Sequence, residues 1–263
     1  MNLNVLLSCM HEKDTSIVKR NNIQTDVVVV NQCDYNAVTE YDFLNNKGNI
    51  CHVKFINTTE RGLSRSRNMA INNAWGDICL IADDDEKFAD DYEDIIIKAF
   101  DEIQADVIAF GFHYSNRERD NFTKRTRIRW HNFLKICSVQ IAFRRSSIIT
   151  SSLQFQVNMG SGSGNGGGEE NKFISDCLKN KLSIYAEPSD IAEIIYNPEE
   201  SKWFTGFNED YFIKKGWSIK QSIGVMGTLA FAIALCCKRS SLIKKDMNPF
   251  RAFYLMLKGV FSN

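Results

Sequence analysis

Three consecutive aspartates, Asp83, Asp84 and Asp85, follow directly on the apolar run Ile78-Cys79-Leu80-Ile81-Ala82. A buried strand that delivers carboxylates at its carboxyl end offers oxygen ligands to a hard divalent cation, because ligands of α/β proteins settle outside those strand ends. Such an ion implies a phosphorylated substrate. Just upstream, the segment Glu60-Arg61-Gly62-Leu63-Ser64-Arg65-Ser66-Arg67-Asn68 places three arginines near a helix start. There, backbone N–H groups and the positive helix end also favour an anion such as a diphosphate. Alone, these arginines fit a solvated helix face equally well; their place before the acidic triplet puts opposite charges around one cleft. A third segment, Met159-Gly160-Ser161-Gly162-Ser163-Gly164-Asn165-Gly166-Gly167-Gly168, leads into Glu169-Glu170. Its composition suits a linker. No second domain-sized core follows it, however, and it runs into acids at a helix start, so backbone approaching a ligand closely is the better reading.

The elements that must position these residues alternate short apolar runs with amphipathic segments. Strands are expected over residues 4–8, 26–31, 51–56, 78–82 and 107–112. Helices are expected over 15–22, 63–74 and 91–104. This rhythm predicts a mostly parallel sheet with helices on both faces. Residues 116–129 read as a charged loop or exposed hairpin, 137–143 as a strand that rejoins the sheet, and Glu169-Glu170 opens a helix through Leu178.

At 263 residues and 44% hydrophobic content the chain can bury a full core. Its net charge is zero, so no global field points to nucleic acid. From Lys214 onward, however, nine basic residues face one acid, which gives the tail about +8 and suggests an anionic surface as partner. The eight cysteines lack C-x-x-C spacing and read as reduced core residues of a cytosolic protein. No charged region followed by a long apolar stretch opens the chain, so a cytoplasmic location is expected. Residues 223–237 carry no charge but are too few for a confident span. Residues 249–261 place aromatic and basic side chains at helical spacing, as in helices that lie in a membrane interface. Packing of both helices on the remaining chain, or on a second copy as a homo-oligomer, is the alternative.

The blocks Gly62-Leu63-Ser64-Arg65-Ser66-Arg67-Asn68, Ala74-Trp75-Gly76-Asp77-Ile78 and Asp83-Asp84-Asp85 resemble the G-x-S-x-A-R-N, A-x-G-[ED]-[YI] and D-x-D-D blocks of inverting family 2 glycosyltransferases, especially bacterial enzymes of surface-polysaccharide assembly. The resemblance implies a GT-A fold: Rossmann-like α/β, with a mostly parallel central sheet and flanking helices, here followed by C-terminal amphipathic and apolar helices. It implies a domain over 1–215, with a nucleotide-sugar-binding half (1–115) and an acceptor-binding half (116–215), and a membrane-associating tail over 216–263. By position, Ser8, Glu12 and Asp34 correspond to the nucleotide-facing strand ends. Arg67, supported by Arg65, corresponds to the arginine near the donor. Asp83 would face ribose or sugar, and Asp85 would bind Mn²⁺ or Mg²⁺. Asp84, in the same donor-facing triplet, would act as a spacer.

The step Gly168-Glu169-Glu170 resembles the block that supplies the catalytic base. This assigns the role to Glu170, with Glu169 as neighbour or substitute, and a helix N-terminus is expected to keep the carboxylate ionised. The chain departs from the family in its last histidine, His131, because relatives often carry a later one near Tyr196-Asn197-Pro198. The implied partners are a nucleotide-sugar donor, probed first as UDP-linked, a lipid-linked saccharide acceptor and an anionic membrane face. The alternatives are a sugar nucleotidyltransferase and a non-catalytic membrane-bound partner of another glycosyltransferase.

Overall fold

The computed structural model describes residues 1–116, 121–195 and 206–262. The first half runs β1 (Leu3–Met10), α1 (Ile17–Arg20), β2 (Asp26–Gln32), β3 (Ala37–Leu44), β4 (Ile50–Thr58), α2 (Leu63–Asn73), β5 (Ile78–Asp83), β6 (Glu86–Phe88), α3 (Tyr92–Glu102) and β7 (Val107–Tyr114). The second half runs β8 (Thr126–Arg127), β9 (Ile141–Arg144), α4 (Arg145–Thr150), α5 (Glu169–Lys179), β10 (Ile184–Ile194), α6 (Glu209–Lys238), α7 (Ser240–Ile243) and α8 (Pro249–Phe261).

All the strands share one sheet, ordered β3-β4-β2-β1-β5-β9-β7-β10-β6, with β8 beside β10. Strands β4, β2, β1, β5, β7 and β10 run in one direction, and β9 is inserted antiparallel between β5 and β7. The chain moves from β1 toward β2 on one side and places β5 on the other. The carboxyl ends of β1 and β5 therefore flank a topological switch point, where α/β sheets open a crevice.

Alternation along the strands sorts the core into two layers. Val5, Leu7, Val27, Val29 and Leu80 pack on one face under Ile96 and Phe100 of α3. Leu6, Val28, Val30, Cys79 and Ile81 pack on the other, under Ala70 and Ile71 of α2 and Phe173, Ile174 and Cys177 of α5. Helices α2 and α5 thus lie over the same face of the sheet. That shared face brings the arginine block and the Glu169-Glu170 step together.

The structure corrects several sequence expectations. β3 is an edge strand, exposed along most of its length, and its polar Thr39, Glu40 and Asp42 hid it. Only the end of the expected 137–143 strand is β9, because Ser138–Gln140 forms a 3₁₀ turn. α6 runs through the expected boundary at 215/216 without a break, although Gly224, with φ of 71°, kinks it further on. Gly216 is where this helix meets α8, since a Cβ there would collide with the Met256 carbonyl. The cysteines are free thiols, but they are not all core residues: Cys137 and Cys236 are only partly buried and Cys237 is exposed. Residues 196–201, the segment compared above with the family's later histidine, lie outside the described residues.

Candidate active site

β5 ends at Asp83, and the chain turns at once. The Asp83 N–H donates to Glu86 Oε1 at 2.8 Å, and Asn21 Nδ2 donates to the Asp83 carbonyl at 3.1 Å. Asp84 and Asp85 form the exposed turn between β5 and β6. Glu86 is buried beneath it, with Oε2 lacking a partner among the described residues. Burial, reinforced by Asp83, pushes the Glu86 carboxyl well above its ordinary range. Partial loss of water at this surface turn, together with repulsion from Asp83 and Asp84, pushes Asp85 up to about 6. The same partial loss of water and Asp83 also raise Asp84. Such mutual repulsion is what a bound cation relieves.

No three Asp, Glu, His or Cys side chains converge as a metal cage among the described residues. The donor set is one of hard carboxylate oxygens at a strand end. It fits an Mg²⁺- or Mn²⁺-type ion held by one or two carboxylates and completed by phosphate oxygens, as Mg²⁺ commonly is.

Arg67 projects from α2 into the interior and is fully buried. Its Nη2 donates to both Asp83 oxygens at 2.8 and 3.0 Å, and its Nη1 donates to Glu169 Oε1 at 2.9 Å. The guanidinium also lies over the Phe155 ring, 5.4 Å from its centroid. Burial works against its charge, but Asp83 and Glu169 outweigh it and raise the Arg67 pKa. Enclosed in this way, Arg67 directs its guanidinium at the two carboxylates. It joins the end of β5 to the start of α5. Arg65, two residues earlier, is exposed on the first turn of α2.

The other residues of the arginine block secure the Gly-rich segment. Asn68 clamps Phe155, donating to its carbonyl at 2.8 Å and accepting from its N–H at 2.7 Å. Ser64 Oγ donates to the Met159 carbonyl at 2.8 Å, and the Leu63 N–H to the Ser161 carbonyl at 3.0 Å. A Cβ on Gly160 would press on Glu169 and Ser64, and Gly168 caps α5 with φ of 103°. The segment is thus a loop tied down at both ends, with an exposed tip around Gly164, rather than a linker.

At the start of α5, Glu169 is buried and spent on Arg67. Glu170 is half-buried, and Asn171 Nδ2 donates to its Oε1 at 2.7 Å. Its carboxyl is pushed up to about 7, first by burial and then by Glu169, with Arg67 and Lys215 opposing. Burial thus opposes the helix N-terminus, which was expected to keep Glu170 ionised. A carboxyl poised there suits proton abstraction near neutral pH.

The remaining predicted residues sit along the same carboxyl edge of the sheet. Ser8 is buried opposite Asp83 in the β1–β5 register and shares a 2.9 Å hydrogen bond with Ser66. Glu12 pairs with Arg20 at 2.6 Å, and Asn31 ties its backbone to β2. Asp34 pairs with Arg61 at 2.7 Å in an exposed ion pair. Sequence reasoning assigned no separate role to Arg61, Glu86 or Asn68, and overlooked Lys215 and Ser218 on α6. Asn68 could have been found as part of the quoted block; the two α6 residues carry no local signal.

A family model described as glycosyl transferase family 2 matches residues 15–164. Comparison with curated proteins gives no match. Among solved structures, S. aureus TarS 1–349 superposes with a TM-score of 0.59 at 14% identity, covering 94% of this chain and 74% of that one. The same fragment in complex with UDP-GlcNAc gives 0.63 at 16% identity, and in complex with UDP 0.60 at 15%, with the same coverage. At such identity the likeness is one of fold.

Proposed function

The chain belongs to glycosyl transferase family 2, and from that premise we propose that it moves a sugar, with inversion, from a UDP-linked donor to a lipid-linked saccharide in bacterial capsule, O-antigen or exopolysaccharide synthesis. The observation that carries this reading is the buried Asp83–Arg67–Glu169 chain, which fixes the donor-side strand end to the helix bearing Glu170. Ionised Glu170 takes the acceptor hydroxyl proton while that oxygen attacks the anomeric carbon from the face opposite the diphosphate. The anomeric C–O bond breaks, and the nucleoside diphosphate leaves with the electron pair. Exposed Arg65 meets the phosphates in place of the enclosed Arg67. A divalent ion bound by Asp85 and the phosphates would neutralise charge on the leaving group. The UDP assignment is supported by the fold shared with TarS, which binds UDP-GlcNAc and UDP.

A screen of nucleotide sugars with Mn²⁺ tests the proposal. Slow release of a nucleoside diphosphate from one donor is the expected result. Pyrophosphate from a nucleoside triphosphate would favour a nucleotidyltransferase. No turnover, together with no calorimetric binding of UDP or GDP, would favour a non-catalytic partner. Asp85→Ala should lower turnover by about 10²–10³-fold, the range for loss of one electrostatic stabiliser. Its melting temperature should hold or rise, because a repelled carboxylate is removed. Wild-type turnover in the folded variant would overturn the assignment of Asp85.

We also place the protein on the cytoplasmic membrane face. α6 spans 30 residues across its kink at Gly224; its most apolar 18-residue stretch has a mean hydropathy of 1.6, and only 22% of that stretch is buried. Its first half is bound to the Gly-rich loop through Ser218. The part beyond Gly224 is about 20 Å long, short of the roughly 30 Å hydrocarbon core. Attachment along the surface follows. On α8, Phe250, Tyr254 and Phe261 are 85%, 65% and 72% exposed and lie on one stripe with Lys258. Replacing the three aromatics by Ser should abolish sedimentation with vesicles containing anionic phospholipid while leaving the melting temperature unchanged. Undiminished sedimentation would refute surface attachment through this stripe.

A further inference from the structure

The block Ala74-Trp75-Gly76-Asp77-Ile78 takes no part in the transfer site. It lies where β5 begins, about 17 Å along the strand from Asp83 at the carboxyl end. There β9 runs antiparallel to β5 and sets Arg144 opposite Ile78. A cavity of about 320 Å³ opens at this amino edge of the sheet, with Trp75, Asp77, Arg144 and Arg145 in its lining. Its walls are held by the surrounding chain. Asn4 Oδ1 accepts from the Trp75 and Gly76 N–H groups at 2.8 and 2.6 Å, and a Cβ on Gly76 would meet the Asn2 carbonyl at 3.0 Å. The Trp75 ring is tethered through Nε1, which donates to Asp26 at 2.9 Å, and by the His52 ring packed edge-to-face, yet the residue is 40% exposed. Arg144 Nε and Nη2 donate to the Ala105 and Phe100 carbonyls at 2.9 and 2.8 Å, and the guanidinium lies over the Phe100 ring. Those neutral partners fix its plane without cancelling its charge. Arg145 has a buried Nε, and its side chain has no hydrogen bond or ion pair among the described residues. The one acid in the lining, Asp77, accepts from the Asn2 N–H at 3.0 Å and pairs with neither arginine among the described residues.

We propose that this cavity binds a single sugar ring bearing an oxyanion, either a uronate or a sugar phosphate, with Arg144 and Arg145 at the charged group and Trp75 against the ring. Two guanidinium groups facing one unpaired carboxylate leave an excess of positive charge, and their planar forks match the oxygens of a carboxylate or phosphate. Trp75 supplies what an inorganic ion has no use for. Its electron-rich face packs on the C–H face of a pyranose, while Asp77 accepts from ring hydroxyls. The volume is at the lower end for small-molecule sites, which suits one ring rather than a nucleotide sugar. The cavity and the Asp85–Glu170 crevice lie at opposite edges of the sheet, so a sugar held here does not compete for the donor's place.

The test uses the full chain labelled with ¹⁵N-tryptophan, the Trp75 indole resonance being identified by its loss in Trp75→Phe. Methyl glucuronide and glucosyl phosphate are the probes, with methyl glucoside and inorganic phosphate as the separate halves. At least one charged sugar should shift the Trp75 resonance saturably at millimolar concentration, and which of them does so identifies the oxyanion. Methyl glucoside should bind roughly tenfold more weakly, the loss expected for a hydrogen bond to a charged group, and inorganic phosphate more weakly than the sugar phosphate. Arg145→Gln should weaken the charged sugar by a similar factor at an unchanged melting temperature, and Arg145→Lys should recover part of it. No saturable shift with either charged sugar would overturn the proposal. So would equal affinity for methyl glucoside, equal affinity for inorganic phosphate, or an undiminished response in folded Arg145→Gln. If that variant does not fold, the comparison of charged and neutral sugars on the wild-type chain decides alone. Failure here leaves the assignments of Asp85 and Glu170 standing, because donor turnover reads those.

Discussion

Glu170→Gln is expected to lower turnover by about 10³-fold, within the range for general base catalysis, with donor KM changed less than twofold. The amide keeps the size of the side chain and its bond to Asn171 but cannot accept the acceptor's proton. In the wild type, kcat should rise with pH and reach half its plateau near pH 7, because only the ionised carboxyl acts as base. The stability effect has the opposite sign. A carboxyl raised from its ordinary 4.5 to about 7 holds its proton more tightly in the folded chain, so folding stability falls as pH rises through that window. Glu170→Gln should flatten that part of the stability curve, so one substitution predicts a lost activity limb and a lost stability slope. Full turnover in the folded variant would move the base elsewhere. Glu169→Gln is a distinct case, because it breaks the pair with Arg67 and should act first on melting temperature.

The parts of this architecture legible in the sequence are those where burial leaves a continuous signal. β1, β2 and β5 are buried on both faces, so their apolar runs read directly as strands. The acidic triplet and the Glu169-Glu170 step were legible for the same reason, as polar residues standing abruptly at the ends of apolar or glycine-rich runs. β10 escaped because Glu187, Pro188, Ser189 and Asp190 interrupt it at register shifts. The pairing of Arg67 with Glu169 spans 102 positions. It depends on α2 and α5 covering one face of the sheet, a matter of topology that no local spacing encodes. The role of α6 was hidden by Gly216, which looks like a boundary and is in fact a point of close helix contact.

Arg67→Met decides between two roles for the residue that the sequence placed beside the donor. A phosphate-binding arginine should, when lost, raise donor KM and leave the melting temperature alone. The arginine seen here is fully buried and holds two carboxylates from opposite halves of the site. Its loss leaves Asp83 and Glu169 facing each other without a counter-charge, a change that costs about 3–5 kcal/mol for a broken buried pair. For a chain of this size that lowers the melting temperature by on the order of 10 °C. Arg67→Lys should recover little, because one ammonium lacks the planar fork that reaches both acids at once. If the penalty arises from stranded charge, neutralising the partners in the same chain, with Asp83→Asn and Glu169→Gln added to Arg67→Met, should restore much of the lost stability without restoring transfer. Calorimetric melting of the single and triple variants reads this directly. An unchanged melting temperature in Arg67→Met with a large rise in donor KM would return Arg67 to the diphosphate and leave the two halves of the site joined by some other contact.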